Sequence, residues 1–172
     1  MKEMVEGETL LQIEAPQSSL GAPLPHLFAD EERLVVAYLV DTPHSDFDGT
    51  NPRSVRPTDE DNQTAVLIVE PCKAFQFGPP NDEAIAGHRL YALGLEPYSA
   101  FEVRNSKWID SLEKANRVHS RHRPEWFASY RHFIFTFHDS TLEFVAEDFS
   151  TTLRRGSPRS LIIEAINRAI ST

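Results

Sequence analysis

The sequence predicts a single α+β domain: an antiparallel β-sheet, sandwich-like or open, partly covered by about three helices, one of them C-terminal. Three observations lead there. Across residues 131–149, RHFIFTFHDSTLEFVAEDF, Phe133, Phe135 and Phe137 alternate with His132, Ile134, Thr136 and His138. Beyond Asp139-Ser140 the alternation resumes as Leu142, Phe144 and Ala146 against Glu143, Val145 and Glu147. A period of two marks strands with one apolar face. Residues 33–41, RLVVAYLVD, add a β-branched apolar run too short for a typical helix, and residues 64–77, TAVLIVEPCKAFQF, return to strand character. Ser157 and Pro158 then open a stripe of Leu161, Ile162, Ala165, Ile166, Ala169 and Ile170, a capped amphipathic helix suited to packing on a sheet.

Burial fixes the parity of the hairpin. A loop of even length, Asp139-Ser140 or residues 138–141, sets Phe137 opposite Leu142 and Phe135 opposite Phe144. An odd loop sets phenylalanines against glutamates. In the even register His132 lies opposite Glu147 and Thr136 opposite Glu143, with His138 a diagonal neighbour of Glu143.

In chain order, residues 9–14, TLLQIE, form a short first strand, and Pro16, Pro23 and Pro25 break the chain into an irregular surface connection. The strand at 33–41 has both faces at least partly covered. Residues 41–62, DTPHSDFDGTNPRSVRPTDEDN, make a long polar loop of the kind that is either functional or mobile. The run 64–77 returns to strand, with Pro71 at a bend or an edge position. Asn81-Asp82-Glu83 have the cap and first-turn acids of a helix running towards Leu93, with Gly94 as its stop. Residues 99–103 give a short strand. Asn105 or Ser106 then caps a helix carrying Trp108, Ile109, Leu112 and Ala115, which ends before Pro124.

A chain of 172 residues suits one domain with a core that needs neither disulfide nor structural metal. The single cysteine, Cys72, excludes an internal disulfide and fits a reducing compartment. The first residues, MKEMVEGETLLQIEAP, lack the charge and apolar run of an export signal, and no stretch approaches the roughly 20 apolar residues of a membrane span. The expected location is the cytoplasm. Of the formal charge of −9, the whole excess lies early, because residues 1–62 hold 13 acidic and 4 basic side chains. Such a region repels nucleic acid and anionic membrane, and either attracts a basic partner or simply keeps the protein soluble.

Four groups of residues bear on chemistry. The polar face of the hairpin brings histidine beside carboxylate, a pairing that orients an imidazole for acid–base work. His132 and His138, six residues apart on one strand and so about 20 Å from each other, cannot share a metal ion. Any site is therefore local: His138, Asp139 and Glu143 at the turn, the candidate catalytic residues, or His132 and Glu147 at the other end. The same residues also suit an ordinary solvated sheet face with cross-strand charge pairs. Residues 114–132 are a basic island, in which His119, Arg121, His122, Arg123 and Arg131 fit a small anion, or the chain's own acids, better than a metal. In the acidic loop Asp59, Glu60 and Asp61 are the candidate contacts to a basic protein partner.

DFDGT, residues 46–50, resembles the string that opens the active site of haloacid-dehalogenase-like phosphatases, where the first aspartate attacks phosphorus and the second handles the leaving group's proton. In that family the string follows a buried strand directly. Here Pro43-His44-Ser45 intervene and Asn51-Pro52 follow, so nothing holds a nucleophile in line, and the string reads as a turn.

No phosphate-cradling glycine loop, nucleophile elbow or zinc-protease helix is present, so no cofactor or metal is expected. The expected function is that of a non-catalytic cytoplasmic binding or inhibitor-like protein, of the toxin-neutralising type, using its acidic N-terminal region. The alternative is an enzyme or small-anion-binding protein with its His/Asp/Glu site at the hairpin turn, assisted by Arg121 or Arg123.

Overall fold

The structure, a computed structural model, describes residues 7–41 and 54–170, without the side chains of residues 169 and 170. The DFDGT string and most of the polar loop lie outside the described residues. The strands are β1 (Thr9–Gln12), β2 (His26–Ala29), β3 (Leu34–Leu39), β4 (Gln63–Val69), β5 (Cys72–Gly78), β6 (Ala100–Arg104), β7 (Arg131–Thr136), β8 (Thr141–Ala146) and β9 (Ser150–Arg155), and the helices are α1 (Lys107–Asn116) and α2 (Pro158–Ile170). The class is α+β, with two antiparallel sheets and, among the described residues, two α-helices rather than about three. No helix among the described residues is long and apolar enough to cross a membrane.

The chain divides into two compact units, one of residues up to Glu14 with Pro71–Asp148, the other of Ala15–Glu70 with the chain from Phe149 onward. The expected common sheet for the strands near Arg33, Thr64, Arg131 and Leu142 is therefore corrected. β3 and β4 share a four-stranded sheet of order β2-β3-β4-β9, and β7 and β8 a five-stranded sheet of order β1-β6-β7-β8-β5. The run 64–77 divides at Glu70-Pro71, where β4 ends in one sheet and β5 begins in the other.

In the first unit β7 and β8 pair with Phe133 opposite Phe144 and Phe135 opposite Leu142. Phe137 N donates to Ser140 O at 2.8 Å, so the loop proper is His138-Asp139. Its even length keeps all the phenylalanines on one face, with the Phe133 and Phe144 ring centres 5.2 Å apart. The register nevertheless slides by two residues from the expected one, placing His132 opposite Val145 and Ile134 opposite Glu143. The second face is not solvated. Ile134, Phe101 and Val103 on it join Ile85, Leu90 and Leu95 in one buried cluster, so the segment between β5 and β6 covers it.

That segment is not the expected α-helix. Asn81 does act as a cap, accepting from Ala84 N through Oδ1 at 3.0 Å. The turns that follow are 3-10, at Ile85–Gly87 and Tyr91–Leu93, and His88 between them is extended at φ −73°, ψ 139°. α1 starts as expected, with Ser106 Oγ accepting from Ile109 N at 3.2 Å. It stops at Asn116, soon after its last apolar position, and Val118 beyond it is almost wholly exposed.

In the second unit β3, all six residues of which are buried, pairs with β2 and β4. α2 covers this sheet through Leu161 and Ile162, which cluster with Val35, Ala37 and Val66. Ser157 caps α2, accepting from Ser160 N at 3.1 Å. Gly156, at φ 145°, makes the approach to the helix, and a Cβ there would meet Leu161 Cγ at 3.2 Å. Pro16, Pro23 and Pro25 precede β2, a strand the sequence pattern did not announce.

Candidate functional site

The β7–β8 turn presents His138. The segment after β5 docks on it through Asp82 N, which donates to His138 O at 2.9 Å. The loop before β6 docks on the end of β7, where Ser99 N donates to Thr136 Oγ1 at 2.9 Å and Thr136 N donates to Ser99 O at 3.0 Å. These two attachments bring Asp82 and Tyr98 to the imidazole. Tyr98 Oη donates to Asp82 Oδ2 at 2.5 Å, and His138 Nδ1 lies 2.7 Å from Tyr98 Oη and 2.9 Å from Asp82 Oδ2. Tyr98 sits at φ 54°, a left-handed conformation costly for a side chain of its size.

The hydrogen bonds settle the protons. Tyr98 Oη donates its hydrogen bond to Asp82, so Nδ1 is the donor of the imidazole and the neutral ring carries its lone pair on Nε2. Burial, with the bond to the Asp82 carboxylate, pushes the Tyr98 phenol up to about 12, so it stays a donor at neutral pH. The bond from Tyr98 holds the Asp82 carboxyl below its usual range against the opposing effect of burial, and His138 adds to the lowering. Nε2 has no hydrogen bond among the described residues. Asp139 Oδ1 is 4.0 Å away, and the His138 side chain is 40% exposed. An oriented ring with one open, basic nitrogen can take a proton from a bound molecule and return it.

Glu143, expected beside His138 and Asp139, belongs to a different cluster. Its buried carboxylate accepts four hydrogen bonds: from Gln76 Nε2 at 2.8 Å, His88 Nε2 at 3.3 Å, Arg89 Nη2 at 2.9 Å and His132 Nε2 at 2.8 Å. His88 Nδ1 accepts from Leu90 N, which makes Nε2 the protonated nitrogen of that ring. Burial alone would raise the Glu143 carboxyl, but the bonds from His132 and His88 and the charge of Arg89 hold it far below the usual carboxylate range. Glu147, the expected partner of His132, instead accepts from Ser129 Oγ at 2.6 Å.

His132 Nδ1 accepts from Ser106 Oγ at 2.8 Å, so Ser106, His132 and Glu143 form a line in the order of a hydrolytic triad. This line is closed to substrate. His132 is wholly buried, the Trp108 ring stands edge-on to it at 5.1 Å, and Ser106 Oγ is committed to capping α1. Its effect is to clamp α1 and the His88-Arg89 segment to β7 and β8. Arg89 extends the clamp to Glu8 at 3.1 Å, and Glu8 Oε1 accepts from Lys107 N at the start of α1.

The basic island is divided among internal partners. His122 Nε2 donates to Glu113 Oε1 at 2.8 Å, and Glu113 is held below its usual range first by Arg117. His119 Nδ1 accepts from Arg121 N at 3.1 Å. Arg131 donates to the buried Glu102 at 2.6 Å, with its guanidinium 4.7 Å from the centre of the Phe133 ring. Arg121 and Arg123 are exposed and have no acid partner among the described residues. Phe127 and Tyr130 lead into the start of β7, whereas His138 follows its end, a strand length of about 20 Å away. The island and the turn are two places rather than one.

In the second unit Asp59 Oδ2 closes a turn by accepting from Arg56 N at 2.8 Å. Glu60 accepts from Ser157 N at 3.1 Å, Ser157 Oγ at 2.8 Å and Ser160 Oγ at 3.0 Å, and the Ser157 bonds hold its carboxyl below the usual range. Asp61 pairs with Arg155 at 3.1 Å in a highly exposed contact. No cluster of three histidine, cysteine or acidic side chains suited to a metal occurs among the described residues. Cys72 is half-buried, and burial pushes its thiol up.

Asp82 and Tyr98 are the site residues that sequence reasoning missed. Asp82 has the sequence signature of a first-turn helix acid, and Tyr98 precedes the short strand at 99–103 without belonging to any pattern. No family model, curated protein or solved structure matches this chain.

Proposed function

We propose that the protein binds a small polar ligand at the β7–β8 turn and exchanges a proton with it through His138 Nε2. The observation that carries this is the convergence of Asp82 Oδ2 and Tyr98 Oη on Nδ1, at 2.9 and 2.7 Å, while the other nitrogen of a partly exposed ring stays open. Asp82 and Tyr98 fix the tautomer and hold the ring, and His138 is the general base. The charged side chains placed against the ring are acidic, Asp82 at 2.9 Å and Asp139 at 4.0 Å. A neutral or cationic compound with a hydroxyl or amine suits them better than an anion assisted by Arg121 or Arg123.

The test is a thermal-shift screen of polyols, amino alcohols and amines against the wild type, His138→Ala and Asp82→Asn. A ligand present at 100 times its Kd stabilises by about 2.7 kcal/mol, and the shift should vanish in His138→Ala. A screen that moves the wild type with no compound, or moves His138→Ala equally, would remove the proposal.

The other reading is an inhibitor-like cytoplasmic protein that captures a basic partner on Asp59, Glu60 and Asp61. The exposure of the Asp61 and Arg155 pair favours it, since such surface pairs exchange partners at little cost. Asp61→Asn should then slow capture of a basic protein at low salt, and an unchanged rate would dismiss it.

A further inference from the structure

The second unit contains a cavity of about 520 Å³ between α2 and strands β3, β4 and β9. Its volume falls in the range of sites for small organic ligands. Val35, Val66, Ile68, Leu161 and Ala165 make its apolar walls, and three arginines, Arg33, Arg154 and Arg168, stand around it against one lining acid, Glu70.

The arginines are short of acceptors. Arg33 Nε is buried and makes no hydrogen bond among the described residues. Asp30 Oδ2 lies 3.3 Å from it outside hydrogen-bonding geometry, and Arg33 Nη2 is 3.5 Å from Glu70 Oε1. Both separations exceed the roughly 2.7–2.9 Å of a well-made charged hydrogen bond. Arg154 Nη1 at 2.9 Å and Arg168 Nη2 at 2.5 Å, both from residues that line the cavity, converge on the same oxygen, Glu164 Oε1. One orphaned guanidinium donor and two arginines on a single oxygen leave N–H groups that an incoming carboxylate would satisfy beside a wall of aliphatic side chains.

We propose that this cavity binds a small amphiphilic carboxylate, its acyl or aryl body against Val66, Leu161 and Ala165 and its head group accepting from Arg33 and the neighbouring arginines. The site is separate from the His138 turn and depends on nothing proposed there.

Calorimetric titration of the full chain with octanoate, octanol and acetate tests it. Octanoate should bind at least 10-fold more tightly than octanol, which lacks the charge, and acetate, which lacks the body, should show no heat at the same concentrations. Arg33→Gln should weaken octanoate at least 10-fold. Ala165→Trp, which fills the cavity from the half-buried face of α2, should abolish binding while circular dichroism shows the fold retained. Absence of octanoate binding to the wild type, equal affinity for octanol, or binding unchanged by Ala165→Trp would each overturn the proposal. If Arg33→Gln does not fold, the comparison of octanoate with octanol and the Ala165→Trp variant decide the matter without it.

Discussion

Replacing Glu143 with alanine removes the acceptor on which four side chains converge, and the structure allows its cost to be worked out. The wholly buried His132 would keep Nε2–H with no acceptor, at about 1–3 kcal/mol for an unsatisfied buried donor. His88, with a side chain only 9% exposed, loses its acceptor as well. Arg89 retains Glu8, and Gln76 is on an exposed stretch of β5, so both contribute less. The sum, about 3–5 kcal/mol, matches the range for breaking a buried charged pair. For a chain of this size it corresponds to a fall in Tm of roughly 6–20 °C. Glu143→Gln keeps one accepting oxygen and should cost less, about 1–3 kcal/mol. Urea and thermal unfolding followed by circular dichroism measure both, with the highly exposed Asp139→Asn as a control expected within about 0.5 kcal/mol of wild type. The pH dependence has a definite sign. Because the folded carboxyl lies far below its usual value, its contribution is complete above the ordinary glutamate range near about pH 4.3 and is lost as pH falls below it. The gap between wild type and Glu143→Gln should therefore be constant near pH 6 and close in acid. A Glu143→Ala protein within about 0.5 kcal/mol of wild type would refute the reasoning.

Three further outcomes are expected. Ser157→Ala should cost about 1 kcal/mol, because Ser157 Oγ caps Ser160 N and donates to Glu60. Glu60→Gln should lower the helical signal of α2 in the same direction, so amide substitution of Asp59, Glu60 and Asp61 together would disturb the fold as well as the charge. Absorbance titration at 295 nm should show two late-ionising tyrosines, of which the earlier disappears in Tyr98→Phe while the later, Tyr38, whose phenol burial raises further, remains. Since the Tyr98 phenol is raised from about 10 to about 12, the unfolded chain ionises first, and stability should fall as pH rises through that window.

The alternation of Phe133, Phe135, Phe137, Leu142 and Phe144 made the hairpin and its two faces legible, because parity is an all-or-none property of a pleated strand. It does not distinguish registers two residues apart, and both His138-Asp139 and Asp139-Ser140 satisfy an even loop. The polar face read as solvated because His132, Thr136 and Glu143 dominate it, yet Ile134 and Val145 between them were the sign of a cover. The caps at Asn81, Ser106 and Ser157 are local chemistry and were readable. The type of turn after Asn81 was not, since His88 leaves helical geometry to reach Glu143 on a distant strand. Neither was the allocation of β4 and β5 to different sheets, which Pro71 marks as a break without saying where each half goes. Asp82 and Tyr98 reach His138 across 56 and 40 residues of chain, a separation that no local pattern encodes.

The most direct test of the account is the tautomer of His138, read from two- and three-bond ¹H–¹⁵N correlations of the imidazole at a pH where the ring is neutral. The hydrogen bonds to Asp82 and Tyr98 predict that the single proton of the neutral ring sits on Nδ1, with Nε2 at the chemical shift of an unprotonated nitrogen, and that this pattern changes in Asp82→Asn. A neutral ring protonated on Nε2, or a pattern indifferent to Asp82→Asn, would contradict the assignment of His138 as a base held from behind.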